Sequence, residues 1–491
     1  MNEGAPPASL VENSTWLLIA RTAALVASAA VTVIAVRTLT TPEYGRFAFV
    51  ITLVTLAVSL SELGINALAT RQMVEDPQSA RRILGIALGA EIATSVVAAV
   101  CLFIAAIAFQ RDARTLALIP IACVVVLLQG AIAAFDAPFQ ARRLLRPVAS
   151  FGLIQSAVLL GVGTTVLLVG FGAPGLMAAT AVANGAAAAA AFHRLRRLQI
   201  GPAYPLAGRD PGAFVRSVRA FIRSAALIAV TGTFATIYER IDVLLVSHYR
   251  GPRGVAFYSA ALSIVVTLYV IPAAISTAYY PLLTAQMARA REAARESFAL
   301  LFRVFILVSV PLAILLGFAA PTLVRIAFGP RYQLSGVVLQ ILSPILVLSF
   351  VNYICWQALL AAHREGGKAA IVAVALVLNV ALNLALIPAH GVRGAAYSLL
   401  ATETLVAVVQ AVVVHRQVFP LQLRRLFAAP LVAGAIAAAA VVAVPLGPDV
   451  LQGALASAIY VATLLVLRYV SAEEWRPVTQ PLRALTARAR T

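Results

Sequence analysis

The sequence predicts an all-α polytopic membrane protein of about 14 transmembrane helices: two six-helix lobes related by an internal repeat, plus two C-terminal helices. Three observations carry this prediction. Hydrophobic residues fill 62% of the 491 positions and charged residues only 12%, about half the charge a soluble chain needs to cover its surface. Apolar runs of about 18 residues or more recur from end to end, long enough to cross a hydrocarbon core of roughly 30 Å. Three short motifs also return in the same order about 210 to 219 residues later, the mark of a duplicated unit.

Taken in order, the N-terminal lobe, 14–193, reads as spans at 14–36, 44–68, 83–109, 115–137, 148–170 and 172–193. Glu3 and Glu12 precede the first run with no Lys or Arg. That is the wrong flank for a cleaved signal, so the first span is expected to stay in the protein. A basic linker follows over 194–220, where Gly201, Pro202, Pro205, Gly208, Pro211 and Gly212 stand among arginines. Turn formers among cations predict a flexible connector. The second lobe, 221–416, reads as 221–249, 254–284, 298–320, 335–362, 369–388 and 392–414, and the segment 427–470 adds spans at 427–446 and 450–470.

An even number of spans puts both termini on one side, and the arginines choose which. Of 38 basic residues, 27 fall in one set of loops and the C-terminal tail and nine in the opposite loops. The positive-inside rule therefore predicts cytoplasmic termini. Arg21 and Arg240 are the remaining two, both inside spans. The net charge of +19 is thus accounted for by topology, and the scattered arginines give no basic domain for nucleic acid. Cys101, Cys123 and Cys355 all lie in apolar segments, so no disulfide framework is expected.

The repeat is specific enough to quote. RTLTTPEYGRFAF (Arg37–Phe49) returns as SHYRGPRGVAFYSA (Ser247–Ala260), and FQARR (Phe139–Arg143) as WQALLAAHR (Trp356–Arg364). GFGAPGLMAATA (Gly170–Ala181) returns as AHGVRGAAYSLLA (Ala389–Ala401), with Gly172 and Gly175 matching Gly391 and Gly394.

Longer stretches carry a resemblance. YERIDVLLVSHYRGPRGVAFYSAA (Tyr238–Ala261) resembles the seventh span and following loop of the polysaccharide-type flippases in the multidrug/oligosaccharidyl-lipid/polysaccharide exporter superfamily. FGPRYQLSGVVLQIL (Phe328–Leu342) is similar to that family's start of span ten, and LNVALNLALIPAHGVRGAAYSLLATE (Leu378–Glu403) to its spans eleven and twelve. RTLTTPEYGRFAF and SELGINALATRQ (Ser61–Gln72) fit its first two spans, so the resemblance covers about residues 14 to 416. It implies a transporter rather than an enzyme. The expected cargo is a polyprenyl-diphosphate-linked oligosaccharide, moved by alternating access from the cytoplasmic to the outer leaflet of the inner membrane. The implied partners are membrane lipids, that lipid-linked glycan and glycan-assembly or polymerase proteins, with no nucleic acid. Two rivals stay open. A cation-coupled multidrug exporter of the same superfamily would want carboxylates in its cavity rather than arginines. A membrane glycosyltransferase or polysaccharide polymerase would want a large outer loop with catalytic carboxylates, and the outer loops here are short.

The candidate site residues are the polar ones inside spans, where an ionised side chain costs at least about 2.5 kcal/mol unless it faces a partner or water. Thr236–Pro252 holds Glu239, Arg240 and Asp242 within four positions. Glu239 and Asp242, three apart, share a helix face, and Arg240 points roughly 100° away. Two carboxylates in low dielectric share a proton or hold a cation, which makes them candidates for ion coupling; the alternative is an acid pair bonded to Arg21 or to hydroxyls of a neighbouring span. Glu403, near the middle of the twelfth span, is a third coupling candidate. Arg21 and Arg240, on corresponding helices, are candidates for the diphosphate, because guanidinium grips phosphate bidentately and stays charged; the alternative for each is an ion pair pinning helices. Glu62 and Glu91, in the cytoplasmic portions of adjacent spans, either pair with Arg71, Arg81 or Arg82 or take a functional role. Asn379 and Asn383, four apart on span eleven, either bond helices together or line a sugar path, as do Asn352 and Gln357. There is no metal-ligand spacing, nucleotide cradle or Ser/His/Asp set, so no cofactor and no metal are expected.

Overall fold

The computed structural model describes residues 7–110, 112–200, 211–364, 366–443 and 448–470, with backbone alone at 7–19, 21, 211, 226–232, 366, 368–369 and 423. Among the described residues every element is a helix. The chain opens with α1 (Pro7–Thr38), α2 (Thr41–Glu62), α3 (Ile65–Glu75), α4 (Ala80–Phe109), the short α5 (Ala113–Leu116), α6 (Ile119–Ala141), α7 (Leu145–Val169) and α8 (Gly172–Arg197). After the residues of the expected linker come α9 (Pro211–Leu268), α10 (Val270–Arg289), α11 (Arg291–Phe328), α12 (Gln333–Leu342) and α13 (Ile345–Ala361). The last four are α14 (Gly366–His390), α15 (Val392–Gln417), α16 (Leu423–Ala443) and α17 (Asp449–Val466).

Local chemistry sets the ends. Thr40 and Glu43 form a reciprocal capping box at the start of α2, the Thr40 N–H donating to Glu43 Oε2 at 3.0 Å, with Pro42 inside the first turn. The Asp112 side chain caps α5 and accepts from the Thr115 hydroxyl at 3.1 Å. Helix α9 would run about 87 Å if straight. Gly251, at φ 62° and ψ −167°, breaks it just before Pro252, in backbone that a side chain would strain.

The expected 14 spans are not counted as such. Eleven helices among the described residues are long and apolar enough to cross a membrane, or up to 12 if α12 and α13, bent by 46°, form one span. Two causes account for the difference. The helices of Thr233–Arg289, which cover the expected spans at 221–249 and 254–284, follow one another so closely that they count once although Gly251 breaks them, and the first expected span is described only as the shorter apolar helix Thr22–Thr38. Residues 201–210 of the expected linker lie outside the described residues.

Two compact units are present: Met1–Ser263 with Val372–Ala395, and Ile264–Ile371 with Ala396–Thr491. The core of the first gathers Leu84, Ala87 and Ala90 of α4 with Phe135 and Phe139 of α6 and Ala191 and Leu195 of α8. The second is built on α11, whose Phe298, Phe302 and Phe305 meet Phe350 and Ile354 of α13. Another α11 stripe, with Leu300 and Val304, packs on Ala433 of α16 and Tyr460 of α17. Large apolar side chains also face outward, Val442 at 83% and Val466 at 81% exposure on the last two helices. Water would penalise such surfaces, and lipid does not.

Both glycine-bearing loops of the third repeat take the same form within the first unit. Gly172 and Gly391 stand at φ 63° and 64°. A Cβ on Gly172 would come within 3.3 Å of Glu43 Oε1, and one on Gly391 within 3.5 Å of Arg250 Nε. Glu43 and Arg250 belong to the two copies of the first repeat motif, so in each copy the first motif meets the third. Arg250 goes further, its Nη2 donating to the carbonyls of Ile387 (2.9 Å) and Pro388 (2.7 Å) and closing the end of α14.

Candidate functional site

The chemistry of the first unit concentrates on Asp242, which is 1% exposed and lies shortly before the Gly251 break in α9. An ionised carboxylate so deep is tolerated only with partners. The fold supplies them from two directions. Beyond the Gly251 break, the returning arm of α9 brings back Tyr258, whose hydroxyl donates to Asp242 Oδ2 at 2.9 Å. From α14, Asn383 Nδ2 donates to Asp242 Oδ1 at 2.6 Å and to Asn379 Oδ1 at 2.8 Å. Tyr258, Asn379 and Asn383 are all fully buried, and Asn383 Oδ1 has no hydrogen-bond partner among the described residues. The result is a buried cluster of carboxylate and amide oxygens, donor types that hard cations select.

The other expected residues sort differently. Glu239, three residues before Asp242, is exposed, so the two acids do not look into one buried space. Arg240 is half-buried, and among the described residues its Nε has no hydrogen-bond partner. It forms no ion pair with Glu239 or Asp242 among the described residues. Glu403, on α15 in the second unit, accepts from Asn352 Nδ2 of α13 at 2.8 Å. The Arg21 side chain lies outside the described residues. Asn383 bonds α14 to α9 through Asp242, an interhelical bond whose partner the sequence did not indicate.

Glu91 departs from expectation. It is fully buried on α4, and among the described residues neither its carboxylate oxygens nor the hydroxyl of Ser95 one turn on has a hydrogen-bond partner. Arg71 bonds Glu75 at 2.9 Å instead. Tyr258 is the member of the Asp242 cluster that sequence reasoning missed. Its one signal is a polar aromatic placed soon after a helix break that follows a buried acid.

Comparisons with known proteins fit this geometry. The profile of a family described as "Polysaccharide biosynthesis protein" matches residues 10–287, more than half of the chain. A second profile, MatE, matches residues 228–388. A Shigella flexneri protein named for O-antigen transport is 28% identical over 176 residues, 35% of this chain and 41% of that one, so the chain spans less than half the length of that relative. Among solved structures, the lipid II flippase MurJ in an inward closed conformation superposes with a TM-score of 0.72 at 10% identity, covering 93% of this chain and 99% of that one. An inward-facing multidrug resistance MATE transporter of the MOP superfamily gives 0.59 at 14% identity, over 80% and 93%. A MOP superfamily transporter from Pyrococcus furiosus gives 0.56 at 14%, over 82% and 94%. At these identities the structural likeness establishes the fold alone.

Proposed function

This chain belongs to the polysaccharide biosynthesis protein family, and from that premise we propose that it is a flippase for a polyprenyl-diphosphate-linked oligosaccharide. It works in the inner membrane with both termini cytoplasmic and carries its cargo from the cytoplasmic to the outer leaflet. The observation that carries this reading is the family match over residues 10–287; the O-antigen transport assigned to the Shigella flexneri relative supports it. Two six-helix lobes, 14–193 and 221–416, alternate access to a wet path between them, and the helices of 427–470 flank them. Arg240, without an ion pair among the described residues, is the cation offered to the diphosphate, and Arg21 is its counterpart on the first span. Asp242, with Asn379, Asn383 and Tyr258, holds the coupling cation; Glu239 and Glu403 are the further acids in that role. Nothing in this scheme makes or breaks a covalent bond, so the protein is a transporter rather than an enzyme.

The test is a deletion strain. The expected result is a lipid-linked glycan that accumulates on the cytoplasmic side and is cleared by the wild-type gene but not by Arg240→Gln. A second reading, cation-coupled export of drugs, is favoured by the MatE match over 228–388. Unchanged lipid-linked glycans together with new drug sensitivity would replace the first reading by the second. Cysteines introduced at Arg393 and Arg364 check sidedness, since only the first should react with an impermeant outside reagent.

A further inference from the structure

We propose that the second unit carries a binding site for the phosphate headgroup of a membrane lipid, separate from the cargo path, in a cavity walled by α11, α16 and the turn that ends α17. The cavity measures about 1150 Å³, whereas about 300 Å³ already suffices for a small ligand. Among the described residues its lining brings together Arg295, Arg303, Arg424, Arg425 and Arg468 against one acid, Glu296. Topology explains why basic residues lie near helix ends. It does not explain why five of them surround one concavity.

The walls are built rather than incidental. Arg303 Nη1 donates to the carbonyl of Tyr469 at 2.9 Å, and the Tyr469 hydroxyl donates to the carbonyl of Leu426 at 2.6 Å. These two bonds tie α11, α16 and the end of α17 into one frame. The rim between α15 and α16 is held by Arg291 Nη2 on the Val418 carbonyl (3.0 Å) and by the Leu421 N–H on His415 Nδ1 (2.8 Å). Arg295 is engaged by Glu292. Arg424, Arg425 and Arg468 are exposed, and among the described residues their side chains have neither an ion pair nor a hydrogen bond. Three unpaired guanidinium groups therefore look into a space that two structural arginines hold open.

The remaining lining decides the class of ligand. Phe298, Leu426, Ala429 and Leu467 give the cavity an apolar floor. Guanidinium groups bind phosphate oxygens in paired, charge-assisted hydrogen bonds, and basic pockets between membrane helices take anionic headgroups. A floor that acyl chains can cover, beneath a rim that phosphate can bridge, fits an anionic phospholipid better than a soluble anion.

The test uses the purified full-length protein in neutral detergent micelles and reads thermal unfolding, so its outcome does not depend on transport. Phosphatidylglycerol should raise the unfolding temperature saturably, and phosphatidylcholine and sodium diphosphate should do so far less. The triple variant Arg424→Gln, Arg425→Gln, Arg468→Gln should need about tenfold more phosphatidylglycerol for half the shift. An equal removal of charge elsewhere, Arg142→Gln, Arg194→Gln, Arg197→Gln, should leave the titration unchanged. Ala429→Trp, which fills the floor and keeps every arginine, should also block the shift and guards against a triple variant that does not fold. An unaltered titration in either the triple variant or Ala429→Trp overturns the site. Equal loss in the charge control reduces it to general attraction and overturns it as well. A full shift from diphosphate alone assigns the cavity to a free phosphate and overturns the lipid.

Discussion

Tyr258→Phe removes one hydroxyl from the Asp242 cluster and leaves the ring in place. In the native protein that hydroxyl lies 2.9 Å from Asp242 Oδ2, and both residues are at most 1% exposed, so no solvent replaces the lost bond. Two magnitudes bracket the loss. A hydrogen bond to a charged group contributes about 1.5–3 kcal/mol in soluble proteins. Cycles between polar side chains in membrane helices average about 0.6 and reach about 1.7 kcal/mol. Asp242 keeps its second bond, from Asn383 Nδ2 at 2.6 Å, and burial puts the pair towards the top of the membrane range. The expected coupling in a cycle of Tyr258→Phe with Asp242→Ala is therefore about 1–1.5 kcal/mol. The assay is denaturant-induced unfolding in mixed micelles, with all four proteins measured together. Coupling below about 0.3 kcal/mol, the usual scatter for independent sites, would refute the claim that this bond holds the cluster.

Three further outcomes are expected. Gly45→Ala should cost about 3 kcal/mol or more, or prevent accumulation, because the new Cβ would lie 1.8 Å from the Pro252 carbonyl oxygen, a backbone atom that cannot rotate away; wild-type yield and unfolding temperature would contradict it. Glu91→Met should raise the unfolding temperature, since it removes two buried oxygens without partners and keeps the volume; a drop of several degrees would show that Glu91 has a partner in the membrane. Burial pushes the Asp112 carboxyl up, but the Arg46 and Thr115 hydrogen bonds and the Arg46 charge outweigh it and hold the group below its ordinary value of 3.8. A depressed folded-state value means stability that is present above the unfolded value and is lost as pH falls through the folded one. Arg46→Gln should thus lower stability at pH 7 and flatten its decline below pH 4, which unfolding curves across that range would check.

Hydropathy carried most of the fold, because in a bilayer every backbone polar group must be satisfied within helices. The number of spans was harder to read. A hydropathy profile puts a loop at Gly251–Pro252, and the structure has a break there of one non-helical residue with helix on both sides, too short to divide the count of spans. Asp242, Asn379 and Asn383 were individually visible as polar intrusions, and the spacing of the two asparagines put them on one face. Their meeting was not legible, since 137 residues separate Asn379 from Asp242 and only packing brings α14 to α9. Tyr258 was obscured by an ordinary role, since aromatic residues near helix breaks and membrane interfaces are common. Glu91 misled for the opposite reason. Three arginines stood near it in the sequence, but the turn after α3 and the length of α4 carry the acid inward, away from the helix end where they sit.

The break at Gly251 has one more consequence. Asp242 stands on one arm of the bent helix and Tyr258 on the other, so the hydrogen bond between them spans the bend like a latch across a hinge. Widening the angle draws the phenol off the carboxylate, and a buried oxygen stripped of its donor must immediately find another. That bond ties the two arms together across the one residue where the backbone between them is not helical.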